Sequence, residues 1–372
     1  MRIFLFRANG AKMVNRLKYH RVQNAKTQAD AAKAVGVTQP TYQRWETDRA
    51  EVPKTALAKL AKYFKATPAE LLGTHPPVEA AFYNDNAPLD LQYYGEIAVH
   101  FKSASEPLVL SISEAVRASA YSQLHENRRF ITFKDLGNRS VAIRREAISE
   151  FYFSSEAYDW YGPEEEHDNY KLGTPIQMPD TRDWDIIEAI YGEEIGAGDF
   201  TSDYPKEQVE RVREAVMITD EQWDKLVAEG RVKPEELETE KAARAADTAE
   251  ILALAHTVTI QLSNGKRRKI EYVDCNLFEC WERFEDEHYP YSDPEPGLIR
   301  LPHEGYHQTV FLNPEALDYV SFPTHKVECD RIESYDDGLV DDEEIEADGD
   351  DAKVIKLPKA KKKSPTKKGG TK

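Results

Sequence analysis

TQADAAKAVGVTQPTYQRWE, residues 27–46, fixes the fold of the N-terminal region. Thr27 is placed to cap a short helix whose small, apolar face is Ala29, Ala32 and Val35. Gly36 gives the backbone the freedom to turn, and Thr38 caps a second helix that carries Tyr42 and Trp45 inward. Ala32 stands where two helices crossing at a steep angle need a small side chain. The spacing predicts a helix-turn-helix. Its second helix leaves Gln39, Thr41, Gln43 and Arg44 pointing outward.

Working outward, NRLKYHRVQ from residue 15 reads as a leading helix, VPKTALAKLAKYF as a fourth and TPAELLG as a short fifth ending at 73. With Gln28 opening the second helix, Gly36 in the turn, Glu46 after the recognition helix and the closing AELLG, this stretch resembles the Cro and phage-repressor class of DNA-binding domains, the XRE type. The resemblance implies an all-α five-helix domain over residues 15–73 whose recognition helix enters the major groove of double-stranded DNA. It implies that Gln39, Thr41, Gln43 and Arg44 meet base edges, and that Lys26, Gln28, Thr38 and Arg49 lie near phosphates. Gln28 would also steady Gln39. Pro40 stands where relatives often carry another base-reading side chain; it suits a first helical turn but offers no hydrogen bond. The operator therefore cannot be copied from a relative. One such helix covers only a few base pairs, so a homodimer on a near-palindromic operator is expected.

The chain has 372 residues and a net charge of −18, which at first argues against nucleic acid. The distribution reverses that. Residues 1–73 hold 14 Lys plus Arg against 5 Asp plus Glu, or +9; residues 353–372 hold 9 lysines and no acid, again +9. The middle then carries −36. An acidic body is repelled by phosphate, so contact is expected at the two basic ends. Three cysteines, Cys275, Cys280 and Cys329, are too few and too clustered for a disulfide framework, and no signal peptide is evident. A reducing, cytoplasmic, nucleoid-associated setting in a bacterium is expected, without a membrane partner. Residues 1–14 read as a basic arm.

Residues 74–90 mix Pro, Asn and Asp and read as a linker. From residue 91 to 161 five alternating stretches, EIAVHF, PLVLSI, RFITF, SVAI and EFYF, surround one helical stretch, SEAVRASAYSQLHE, and predict a small bent sheet or barrel. Residues 251–332 read as a second copy. VAIRREAISEFYF (141–153) aligns without gaps on VFLNPEALDYVSF (310–322), IAVHF (97–101) on VTIQL (258–262), and FITF (130–133) on LIRL (298–301). The second copy is similar to the Sm-like barrels in VTIQLSNGKRRKIEYVD and QTVFLNPEALDYVSF; Leu312, Asn313 and Pro314 replace their RNA-binding residues, so the likeness implies a fold and not an RNA site. Between the copies, residues 162–250 show helical spacing. Thr219 and Gln222 form a capping box, Pro234 suits a first turn, and two stripes, Trp184, Ile187, Ile190 and Val209, Val212, Val216, require partners, either the sheets of this chain or a second copy. Residues 333–372, ten acids between 336 and 351 and then the lysine run, are expected to be disordered. The fold class is thus multidomain: an all-α helix-turn-helix domain, then an α+β body of two duplicated β units with a helical insertion.

HEGYH (303–307) matches the HExxH zinc signature, but it follows Pro302, contains Gly305 and falls where the first copy has a hairpin. Cys275, Cys280 and His288 could be metal ligands, yet the cysteines sit on a helix beside Phe278 and Trp281 and read better as buried thiols. No phosphate-cradling loop and no nucleophile elbow occurs in the sequence. No catalytic residue, metal site or cofactor is expected, and the chain reads as a non-enzymatic DNA-binding regulator, a repressor of phage or plasmid type whose acidic body dimerises or holds a protein partner. An architectural DNA-binding protein, an antitoxin or adaptor, and a zinc protease fused to a DNA-binding domain are the competing readings.

Overall fold

The computed structural model describes residues 16–73, 89–90, 92–155, 183–196, 198–271, 276–285, 297–303, 308–337 and 339. The first segment folds into five helices, α1 Leu17–Gln23, α2 Gln28–Val35, α3 Gln39–Glu46, α4 Lys54–Phe64 and α5 Pro68–Leu72. Their apolar faces meet in one core of Leu17, Ala31, Ala32, Val35, Tyr42, Trp45, Leu57, Leu60, Phe64 and Leu71. Capping boxes at Thr27 with Asp30 and at Thr67 with Glu70 stop α2 and α5 from fraying by satisfying first-turn amides. On α2 the buried face is Ala31, Ala32 and Val35 rather than the expected Ala29, which is half-buried.

The α+β body begins with β1 Tyr93–Phe101, β2 Leu108–Ser113, α6 Glu114–His125, β3 Phe130–Lys134, β4 Arg139–Arg144, a 3₁₀ turn Arg145–Ala147 and β5 Ile148–Ser155. Four helices follow: α7 Trp184–Glu194, α8 Lys206–Val216, α9 Asp220–Ala228 and α10 Leu237–His256. The two predicted stripes pack on each other, Trp184, Ile187 and Ile190 against Val209, Val212 and Val216, closed by Ile251 and Ala255 of α10. Thr219 and Gln222 do form a capping box on α9, while Pro234 lies in the turn before α10. The second strand unit starts after α10, at 257 rather than 251, with β6 Thr257–Leu262, β7 Arg267–Glu271, α11 Leu277–Glu285, β8 Ile299–His303, β9 Gln308–Leu312, a 3₁₀ turn Pro314–Ala316 and β10 Leu317–Pro323; α12, Thr324–Asp337, ends the described chain.

The strand pairing repeats residue for residue. In the first unit β1 pairs antiparallel with β2 and β5, and β3 with β4; in the second β6 pairs with β7 and β10, and β8 with β9. Val99 faces Phe151 as Ile260 faces Val320, and the same strand pair then shifts register at Phe101/Ile148 and at Leu262/Leu317. Ile97 opposes Leu110 as Val258 opposes Ile270, and Ile131 opposes Ile143 as Ile299 opposes Leu312. The amide of Lys102 donates to the Ala147 carbonyl (3.0 Å) as that of Ser263 does to Ala316 (2.9 Å). A shared register shift is a local feature that convergent apolar alternation does not require. The units join where β4 lies antiparallel on β10, making one five-stranded sheet, β3-β4-β10-β6-β7. Each core borrows from the other across this joint: Tyr319 enters the first, Phe130 and Ala142 the second.

The expectation of disorder from 333 onward fails for residues 333–337. They complete the last turn of α12, because Val327 and Ile332 bury one face of that helix and Glu333 and Asp336 meet cations of α1. Among the described residues no helix is long and apolar enough to cross a membrane.

Candidate nucleic-acid interface

α2 and α3 are joined through Gly36, whose φ of +79° is a conformation that a Cβ would strain. Tyr42 and Trp45 anchor α3 in the core, their rings edge to face at 6.5 Å. With that face buried, Gln43 and Arg44 are exposed and Gln39 and Thr41 half-exposed. The four expected base-reading side chains therefore share the outer side of one helix. Thr38 occupies the N-cap position of α3 but makes no capping bond; its hydroxyl is 2.9 Å from that of Thr41, and Pro40 already removes one of the amides a cap would serve.

Behind α3 lies an ion-pair network in which Glu46 and Gln28 were picked out by the sequence and Arg21 and Asp336 were not. Arg21 is 1% exposed; its Nε donates to Glu46 Oε1 (2.9 Å), its Nη1 to the Lys26 carbonyl (3.1 Å) and its Nη2 to Asp336 Oδ1 (2.6 Å). Glu46 also accepts from Gln28 Nε2 at 2.7 Å. Burial pushes the Glu46 carboxyl upward despite the Arg21 charge beside it, and the two acids hold Arg21 above its ordinary value against its own burial. A buried guanidinium is stable only when paired in this way. The network ties α1, the loop before α2, and the end of α3 together, so α3 is held rigidly against its neighbours.

The remaining expected contacts divide. Thr38 and Arg49 are exposed at the two ends of α3, and Lys26 is half-buried beside the carbonyl that Arg21 holds. Gln28 turns its amide nitrogen to Glu46. Lys18 of α1 meets Glu333 (2.5 Å) and Asp336 (3.2 Å); burial opposes its charge, but these two acids keep its pKa above the ordinary lysine value. The Gln208 side chain donates to the Gly73 carbonyl (3.1 Å), a second tie between this domain and the body. Of the residues that sequence reasoning missed, Lys18, Arg21, Gln208, Glu333 and Asp336, only Arg21 carried a usable signal, a charge on the inward side of α1 four residues after Leu17.

Of the possible metal ligands, Cys280 is buried with its Sγ 2.8 Å from the Arg300 carbonyl, and burial pushes its thiol up to about 12. Cys275, His288 and residues 304–307 lie outside the described residues. His303 pairs with Gln308 at the end of β8 and β9, so it belongs to a strand and not to the helix an HExxH site needs. Among the described residues no cluster of three or more His, Cys, Asp or Glu could hold a metal ion.

Residues 17–71 match the helix-turn-helix family. That segment is a DNA-binding type of domain, found in transcription regulators. The family match covers only this segment, and the α+β body has no recognised family. Comparison with curated proteins and with solved structures gave no match.

Proposed function

We propose that the protein is a sequence-specific transcription regulator, a repressor of phage or plasmid type, that reads a near-palindromic operator as two copies. It acts by binding and not by catalysis, in a bacterial cytoplasm, and its acidic body serves self-association or a protein partner. The observation that carries this reading is α3 itself: Tyr42 and Trp45 locked inside, Gln39, Thr41, Gln43 and Arg44 outside, with the Arg21–Glu46–Gln28 network behind. A helix so fixed can present hydrogen-bonding side chains to base edges at little cost in ordering.

Selection of bound duplexes from a random-sequence pool tests it. Enrichment of one inverted-repeat motif is expected. Recovery of the random pool unchanged would instead make the protein an architectural binder.

A further inference from the structure

Between residues 74 and 352 the acidic body contains one run of more than two consecutive cations, Lys266, Arg267, Arg268 and Lys269, at the turn from β6 into β7. All four are exposed. No acid answers them across the ladder, where Gln261 opposes Arg267, Ile260 opposes Arg268 and Thr259 opposes Lys269. Arg267 donates to the Gln261 side-chain carbonyl (3.2 Å) and lies over the Tyr319 ring at 5.8 Å. Among the described residues no acid forms an ion pair with any of the four. Glu271, the acid of the same strand, lies 3.9 Å from His256.

The hairpin is also held still. Gly265 has a φ of +77°, and a Cβ on it would lie 2.5 Å from the Ser103 carbonyl oxygen, so the turn is wedged against the segment that follows β1. Arg144 Nη2 donates to Ser263 Oγ in the same turn (3.2 Å), and the ladder from Gln261–Arg267 to Thr257–Glu271 fixes β7 on β6. Four like charges set side by side on a rigid backbone repel one another and attract an anion at little cost in ordering.

We propose that this hairpin is the docking site of the acidic run 341–351 of the same chain. That run holds eight Asp and Glu and no Lys or Arg. Its tether starts where α12 ends, at Asp337. The Asn276 side chain donates to Ser334 of that helix (3.1 Å), and from Lys269 to Asn276 there is at most about 25 Å of chain. From Asp337 to Asp351 the extended chain spans up to about 50 Å, so acids of the run reach the hairpin with α12 in place. A single exposed ion pair contributes little, but several made at once by a tethered partner gain from its high effective concentration. The lysine run 353–372 competes for the same acids, and the fixed geometry of the hairpin favours the hairpin. With the acids docked there, the lysine run is left to meet phosphate and the hairpin shows no bare cation to a duplex. The contact involves neither α3 nor an operator and stands whether or not the regulator reading holds.

Carbodiimide coupling of the full chain at low ionic strength, followed by peptide mapping, should join Lys266 or Lys269 to acids of 341–351 within one chain. The yield should fall about tenfold in about 1 M salt, where the screening length is only about 3 Å. Arg268→Gln, a change at an exposed position, should cut the yield several-fold and leave the thermal unfolding transition in place. Coupling of the acids to lysines of 353–372 with none to the hairpin, hairpin coupling found solely in covalent dimers, or an unchanged yield in Arg268→Gln overturns the proposal. Acetylation separates a nucleic-acid partner from the acidic run. Lys266 and Lys269 should react slowly in the chain alone and faster as salt rises. Fast reaction in the chain alone, with protection by an added duplex, would assign the hairpin to phosphate and overturn the proposal.

Discussion

Arg21 touches no DNA in this account, yet it decides whether α3 can. It links Glu46 at the end of α3 to Asp336 of α12 from a nearly water-free site, so its loss strands a buried carboxylate. Removing one partner of a buried pair costs roughly 3–5 kcal/mol, and Arg21→Met should lower stability by about that much in urea unfolding. Arg44 makes the contrasting case. It is exposed, so Arg44→Ala should leave stability nearly unchanged but weaken binding to the selected motif by roughly 1–3 kcal/mol and relax one base position. An equal loss on random duplexes would instead assign Arg44 to phosphate.

At the scale of elements, the turn and the helix ends carry the local specification. Gly36 has open space where a Cβ would go, so Gly36→Ala meets no clash; the φ of +79° alone should cost about 1–2 kcal/mol, measured by thermal or urea unfolding. The end of α10 should report pH. His256 is stacked on Tyr191 at 3.7 Å, and burial holds its pKa below the ordinary value even though the Leu252 carbonyl and Glu271 pull the other way. The folded chain prefers the neutral ring and the unfolded chain titrates near pH 6.5. This contribution is therefore intact above about pH 6.5 and lost as pH falls through the lower folded value. His256→Gln should remove that share, giving a shallower fall in melting temperature between about pH 7 and about pH 5 than wild type. The local signals in the sequence were enough for Thr27, Gly36 and the two buried aromatics of α3, because capping and periodicity act within a few residues. The repeat was legible for a related reason, since alternation marks which strand face is apolar. Alternation does not say which edge meets which, so the β4–β10 joint was not legible. Nor was the last turn of α12: Glu333 and Asp336 look like part of a solvated acid run until Lys18 and Arg21, more than 300 residues earlier, are placed beside them.

For the whole molecule, charge sets the geometry of any complex. A basic N-terminal region and a basic C-terminal run flank an acidic middle, so only the ends of the chain are attracted to a duplex while the body is repelled. The helix-turn-helix domain is nonetheless fastened to that body through α1 and α12, which couples the orientation of α3 to the placement of the strand units. The most direct test is fluorescence anisotropy of the full chain with labelled duplexes, from low to physiological ionic strength. Binding to every duplex is expected at low salt, with log affinity falling linearly against log salt, and a small set of sequences that stay bound as salt rises. Failure to bind any double-stranded probe even at low ionic strength would contradict it.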